Sequence, residues 1–224
     1  IQCGHGGTLD PDASGVLVLG LGKRGCKMLG QQLLGGKAYE ATMIFGIETT
    51  TGDQSGTSLK TALPVSPDLI TREHISAVLP RFRGKISQLP PLYSAIKING
   101  KPMYEYARAG ETPPREIAER IVEISRLELV DYPSPSTVNG VDWSFKSPLL
   151  NEAQGEYQTP RIRISTECSG GTYIRSLIRD LGEAAGSLAY MDELVRIQQG
   201  PIQLNRHTIE LEECADLDKV RGAL

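Results

Sequence analysis

The sequence predicts an α+β fold. In residues 41–47 and 161–168 apolar side chains recur at every second position, as on strands. In residues 23–34 and 172–186 they recur at helical spacing instead. The two patterns mix along the chain without the regular strand–helix succession that builds a parallel sheet. The 224 residues, 39% hydrophobic and 23% charged, have an ordinary globular composition. That length suits one large domain or two small ones.

In chain order, residues 15–19 form an unbroken apolar run and read as a buried strand. A helix over 23–34 follows, with Cys26, Leu29 and Leu33 on one stripe and Gly35-Gly36 as its stop. In the strand over 41–47, Ala41, Met43, Phe45 and Ile47 share a face. The polar stretch TTTGDQSG, residues 49–56, is a turn-rich loop. Ile75, Val78, Leu79 and Phe82 predict a helix over 71–82, with Pro80 disturbing its end. Residues 86–114 read as loop. Residues 120–130 and 161–168 read as strands; in the second, Ile162, Ile164, Thr166 and Cys168 face one way. Between them, residues 131–160 are polar and broken by Pro133, Pro135, Pro148 and Pro160, the mark of an insertion or a disordered loop. A last helix over 172–186 carries Ile174, Leu177, Ile178 and Leu181 on its buried stripe.

The net charge of −3 argues, taken globally, against a nucleic-acid partner. Its distribution is less negative: residues 23–27 and 81–85 are basic clusters, and Arg161, Arg163, Arg175 and Arg179 form a third. A basic face on an acidic protein is compatible with these numbers. No apolar run approaches the roughly 20 residues of a membrane span. Cys3, Cys26, Cys168 and Cys214 stand too far apart for zinc-ligand spacing and suggest a reducing compartment.

Three places carry candidate chemistry. Gly20-Leu21-Gly22-Lys23-Arg24-Gly25 matches G-x-G-x-x-G between a strand and a helix. It reads either as a plain turn or as the phosphate loop of a dinucleotide-dependent oxidoreductase; no acid sits where the ribose would need it. Asp10-Pro11 lies in GHGGTLDPDASGVL, where Pro11 stiffens and Gly6 and Gly7 loosen the backbone. Linker, phosphate cradle and catalytic loop are its possible roles; a carboxylate so presented suits a base or a nucleophile. Arg175, at a helix start where the dipole prefers an acid, is available to a partner such as Asp10. Tyr39 reads by itself as a core aromatic. Tyr93, Tyr104, Tyr106 and Tyr173 fall among Lys and Arg, a mixture that suits stacking on unpaired bases and is also common on plain surfaces. His5, between glycines, reads as a contact residue rather than a metal ligand.

Five ordered segments together resemble the TruB family, the tRNA pseudouridine synthases that act on uridine 55. They are GHGGTLDPDASGVL, GKAYEATMIFGIETTTGDQSG, PPLYSAIKINGKPMYEYARAGETPPR, CSGGTYIRSLIRDLGEAAG and MDELVRIQQGPI, running from Gly4 to Ile202. The resemblance implies a pseudouridine synthase catalytic fold over 1–224, around a central, mainly antiparallel sheet flanked by helices and loops. It implies isomerisation of uridine 55 in the tRNA T-loop by base flipping, with no cofactor and no metal, by a monomer. Asp10 matches the catalytic aspartate, Arg175 the arginine that pairs with it, and Tyr39 the tyrosine that stacks on the target base and assists proton removal. His5, Tyr173 and Leu194 match substrate-contacting positions. The family's opening lysine-proline strand is missing before Ile1, and no PUA domain is discernible after residue 202. The stretch 131–160 resembles an insertion of the longer fungal members. By that analogy the site of action is the nucleus or the mitochondrion, and the cytoplasm if the chain is bacterial. A tRNA-binding protein without catalysis is the rival of another class.

Overall fold

The computed structural model describes residues 1–130, 137–138, 141–150 and 157–215. Its elements begin with strands β1 (Cys3–His5), β2 (Ser14–Gly15) and β3 (Leu19–Leu21), helix α1 (Gly22–Leu34), strands β4 (Lys37–Phe45), β5 (Ile47–Thr49) and β6 (Ser58–Thr61), and helix α2 (Arg72–Val78). Next come β7 (Gly84–Gln88), the hairpin β8 (Lys97–Ile98) and β9 (Lys101–Pro102), α3 (Met103–Ala109) and β10 (Arg120–Val130). Then follow β11 (Thr137–Val138), β12 (Val141–Asp142), β13 (Arg161–Cys168), α4 (Ile174–Ala184), β14 (Ala189–Gln199) and β15 (Ile202–Gln203).

β4 is the middle of a nine-stranded sheet, with β13 and β14 antiparallel on its two sides. β10 and β7 extend the β13 side; β2 lies parallel to β14. The expected α+β fold around a mainly antiparallel sheet is what forms. The alternation in β13 faces as predicted, with Ile162, Ile164, Thr166 and Cys168 buried. β4 differs from expectation because both of its faces are covered. Ala41, Met43 and Phe45 pack under α4 and α2, whereas Ile44 and Ile47 pack with Tyr190 against Phe145, Leu149 and Leu150. Ile47 therefore leaves the face of Ala41: the chain bends at Gly46 and starts a new strand.

Other expectations are corrected. The run 15–19 is no buried strand: Val16 is buried, but Leu17 and Leu19 are exposed and the run is split between β2 and β3. The helix over 71–82 is α up to Val78, with Thr71 accepting the His74 amide at its start. Pro80 then starts a 3-10 turn over Leu79–Phe82. Residues 86–114 hold the end of β7, the hairpin and α3. The last helix begins at Ile174, not at residue 172. Part of the stretch 131–160 is ordered: Asp142 is fully buried and pairs with Arg161 at 2.8 Å, and Ser147 hydrogen-bonds Tyr190 at 2.8 Å. Residues 131–136, 139–140 and 151–156 lie outside the described residues.

G-x-G-x-x-G is a turn into α1, approached by a two-stranded antiparallel ribbon of β1 and β3. A Cβ on Gly20 would stand 2.7 Å from the Gly25 carbonyl carbon, so the glycines let two backbones touch.

Candidate active site

Sheet pairing sets the site's floor. Ile162–Met43–Met191 and Ile164–Ala41–Leu194 are rows across β13, β4 and β14, both under α4. One step along the same face the row becomes Thr166–Tyr39–Arg196, then Cys168–Lys37–Gln199. Where the face turns polar, a cavity of about 660 Å³ opens, lined by Asp10, Tyr39, Tyr173, Arg175 and Leu194 among others.

Asp10 enters on a turn closed by the Ala13 amide on its own carbonyl at 3.0 Å, with Pro11 at the second position. Arg175 reaches it from the first turn of α4 and is only 7% exposed. Its Nη2 donates to Asp10 Oδ1 at 2.9 Å and to the Tyr93 carbonyl at 3.0 Å. Its Nη1 donates to the Thr51 carbonyl at 2.9 Å. Nε stands 2.8 Å from Asp10 Oδ2 as a charge contact whose N–H is off line for a hydrogen bond. On the far side, Asp53 Oδ2 is 3.5 Å from Nη1. Asp53 is itself held at Oδ1 by the Thr51 and Ser55 hydroxyls, each at 2.6 Å. One cation thus lies between two carboxylates.

Burial pushes the Asp10 carboxyl above its usual value; the charge and hydrogen bond of Arg175 oppose this, and Asp53 and Asp12 add to it. Once ionised, Asp10 is aimed but poorly solvated, the condition of a good nucleophile or base. Burial, with Cys168 adding, pushes the Tyr39 phenol up to about 12 against the opposing charge of Arg196, so Tyr39 is a hydroxyl at neutral pH. Tyr173 caps α4 at the cavity wall. The Gln88 side chain grips its backbone both ways, accepting from its amide at 2.8 Å and donating to its carbonyl at 3.1 Å.

The fold therefore brings Asp10, Tyr39, Arg175, Tyr173 and Leu194 to one cavity. His5 is not in its lining; it sits exposed on β1, paired with Leu19. Sequence reasoning missed Asp53, Gln88 and Arg196. Asp53 sits in a loop where aspartate normally serves a turn. Arg196 carried only a weak signal: it follows Met191 and Leu194 on an inward face of β14, with Gln199 beyond it. No group of three or more His, Cys, Asp and Glu side chains converges among the described residues, and no helix there is long and apolar enough to cross a membrane.

Fold and cavity define a carboxylate-centred site on an α+β scaffold. A family model described as TruB family pseudouridylate synthase (N terminal domain) matches residues 1–147. The chain belongs to the TruB family. The tRNA pseudouridine synthase B of Pseudomonas putida is 43% identical over 213 residues, 95% of this chain and 59% of that protein. The tRNA pseudouridine synthase 4 of Saccharomyces cerevisiae is 34% identical over 259 residues, 93% of this chain and 63% of that one. The chain spans about three fifths of the length of these relatives. Among solved structures, a chain of a Cbf5-Nop10-Gar1 complex is similar with a TM-score of 0.62 at 26% identity, covering 99% of this chain and 47% of that one.

Proposed function

We propose that this chain isomerises uridine to pseudouridine in tRNA, at position 55 of the T-loop, as a monomer and with no metal or cofactor. The Asp10–Arg175 pair in a cavity of about 660 Å³, large enough to take a flipped nucleotide, carries this reading. That the Pseudomonas and Saccharomyces relatives are named tRNA pseudouridine synthases supports it. The target base leaves its stack, at a cost of a few kcal/mol, and enters between Tyr39 and Asp10. The N1–C1′ bond breaks while Asp10 bonds the sugar–base unit or stabilises its developing charge. The uracil turns, C5 joins C1′, the C5 proton leaves and N1 gains one, so the formula is unchanged. Tyr39 serves by stacking and as a neutral hydroxyl. In the cavity lining, Arg108 packs over Tyr104 at 5.3 Å, a pair suited to unpaired bases and phosphates; outside that lining Lys101 packs over Tyr106 at 4.4 Å. Leu194 and Tyr173 wall the base in; His5, set apart on β1, would meet RNA only beyond the cavity mouth.

The test is tritium release from T-arm RNA carrying 5-tritiated uridine. About one tritium per RNA is expected, and none from the target site when uridine 55 is replaced by cytidine. Absence of release from the uridine-containing RNA would refute the proposal; release unaffected by the replacement would refute its position.

A further inference from the structure

Arg196 plays no part in these steps, yet it is among the largest fully buried side chains, 1% exposed. Burying a guanidinium is costly, and a packing role would be filled by leucine or methionine. Besides its charge and hydrogen-bond contact with the Tyr39 phenol, its partners are backbone carbonyls. Nε donates to Val16 at 2.6 Å, Nη2 to Gly7 at 3.0 Å and Nη1 to Thr8 at 3.4 Å. Those carbonyls flank Asp10 on both sides in sequence, so one side chain on β14 closes the loop that carries it.

Two further contacts press the loop onto β14. The Val16 amide donates to the Arg196 carbonyl at 2.8 Å. A Cβ on Gly15 would collide with that same carbonyl, so only glycine lets the loop lie flush. Across the strand pair Arg196 faces Tyr39. Arg196 belongs to the cavity lining, but at 1% exposure, with its donors turned to the protein, it offers a bound RNA little surface.

We infer that Arg196 is a positioning residue, which holds the Asp10 loop against β14 and sets it in register with Tyr39. The kinetic part of this inference rests on the pseudouridine synthase reading; the structural part does not. A lysine keeps the charge but cannot span three carbonyls with one ammonium.

Arg196→Lys is therefore expected to lower the single-turnover rate at saturating tRNA by about 100-fold, the scale of a 1 Å misplacement, with the tRNA dissociation constant within about 3-fold of wild type. Amide exchange over residues 6–16 should quicken while that of α4 stays unchanged. Should this variant not fold, Gly15→Ala, which leaves the guanidinium in place and lifts the loop, is expected to give the same split. A folded variant with wild-type rate and wild-type exchange would overturn the inference, as would a rate loss recovered by saturating RNA. If the wild-type chain forms no pseudouridine, the functional reading fails, while exchange over 6–16 still decides whether Arg196 holds the loop.

Discussion

Arg175 sits where two carboxylates compete for one cation, and this governs what its replacement does. Arg175→Lys keeps a charge but loses the fork that reaches Asp10, Thr51 and Tyr93 together. Its turnover should fall by about 100-fold or more. Because Arg175 is what draws the Asp10 carboxyl back down against burial, the acidic limb of the rate profile should also move to higher pH. A limb that stays in place would show that Asp10 ionisation does not control the rate. The same shift has a stability consequence. With its folded value raised, Asp10 holds its proton in the native state over a window above the ordinary 3.8 in which the unfolded chain has lost it. Stability contributed by this group is therefore present below that window and lost as pH rises through it. Asp10→Asn removes the effect, and Arg175 keeps Asp53, Thr51 and Tyr93 as partners. Thermal melts should show the variant at least as stable as wild type at neutral pH, with a flatter dependence just above pH 4.

At the scale of elements, the site depends on how α4 is anchored. Gln88, at the end of β7, is buried and satisfies both backbone groups of Tyr173 just before the helix. Gln88→Ala would leave the Tyr173 amide without its partner, while the carbonyl keeps the Leu177 amide at 3.1 Å, costing about 1–3 kcal/mol by thermal or urea denaturation. A second anchor ties β12 to β13 through Asp142 and Arg161. Burial alone would raise the Asp142 carboxyl, but the Ser144 hydroxyl and amide and Arg161 outweigh it and hold it below the usual range. A depressed carboxylate stabilises above its unfolded value and loses that contribution as pH falls through the folded one. Asp142→Ala should cost about 3 kcal/mol at neutral pH and nearly nothing well below pH 3. Equal destabilisation at both pH values would contradict the role given to this pair. These elements also show where sequence patterns work. β10 and β13 were legible because their alternation is plain. β4 was read as a strand from the same alternation, but not that its second face is covered too, with Thr42 and Ile44 buried as well. The hairpin and α3 within 86–114 are too short, and too rich in glycine and proline nearby, for periodicity to register.

Over the whole molecule, the sheet face grades from an apolar floor under α4 to a polar end where three distant segments meet. The loop around Asp10, the turn around Asp53 and the start of α4 are brought together by strand order, 165 positions separating Asp10 from Arg175. No local pattern encodes such a meeting; only the resemblance carried by five ordered segments pointed to Asp10, Tyr39 and Arg175 as one site. Gln88 and, for most of its contacts, Arg196 went unseen because their partners are backbone atoms, which leave no chemical signature in the residues they hold. Net charge was equally silent: Lys37, Arg108 and Arg175 line one cavity with Tyr39, Tyr93, Tyr104 and Tyr173 on a protein that is acidic overall. Single-turnover tritium release by Asp10→Asn beside wild type tests the proposal that Asp10 acts on the glycosidic bond. Release should fall by about 1,000-fold, as for loss of a covalent or charge-stabilising group, with T-arm binding retained. Release from folded Asp10→Asn at the wild-type rate would contradict it.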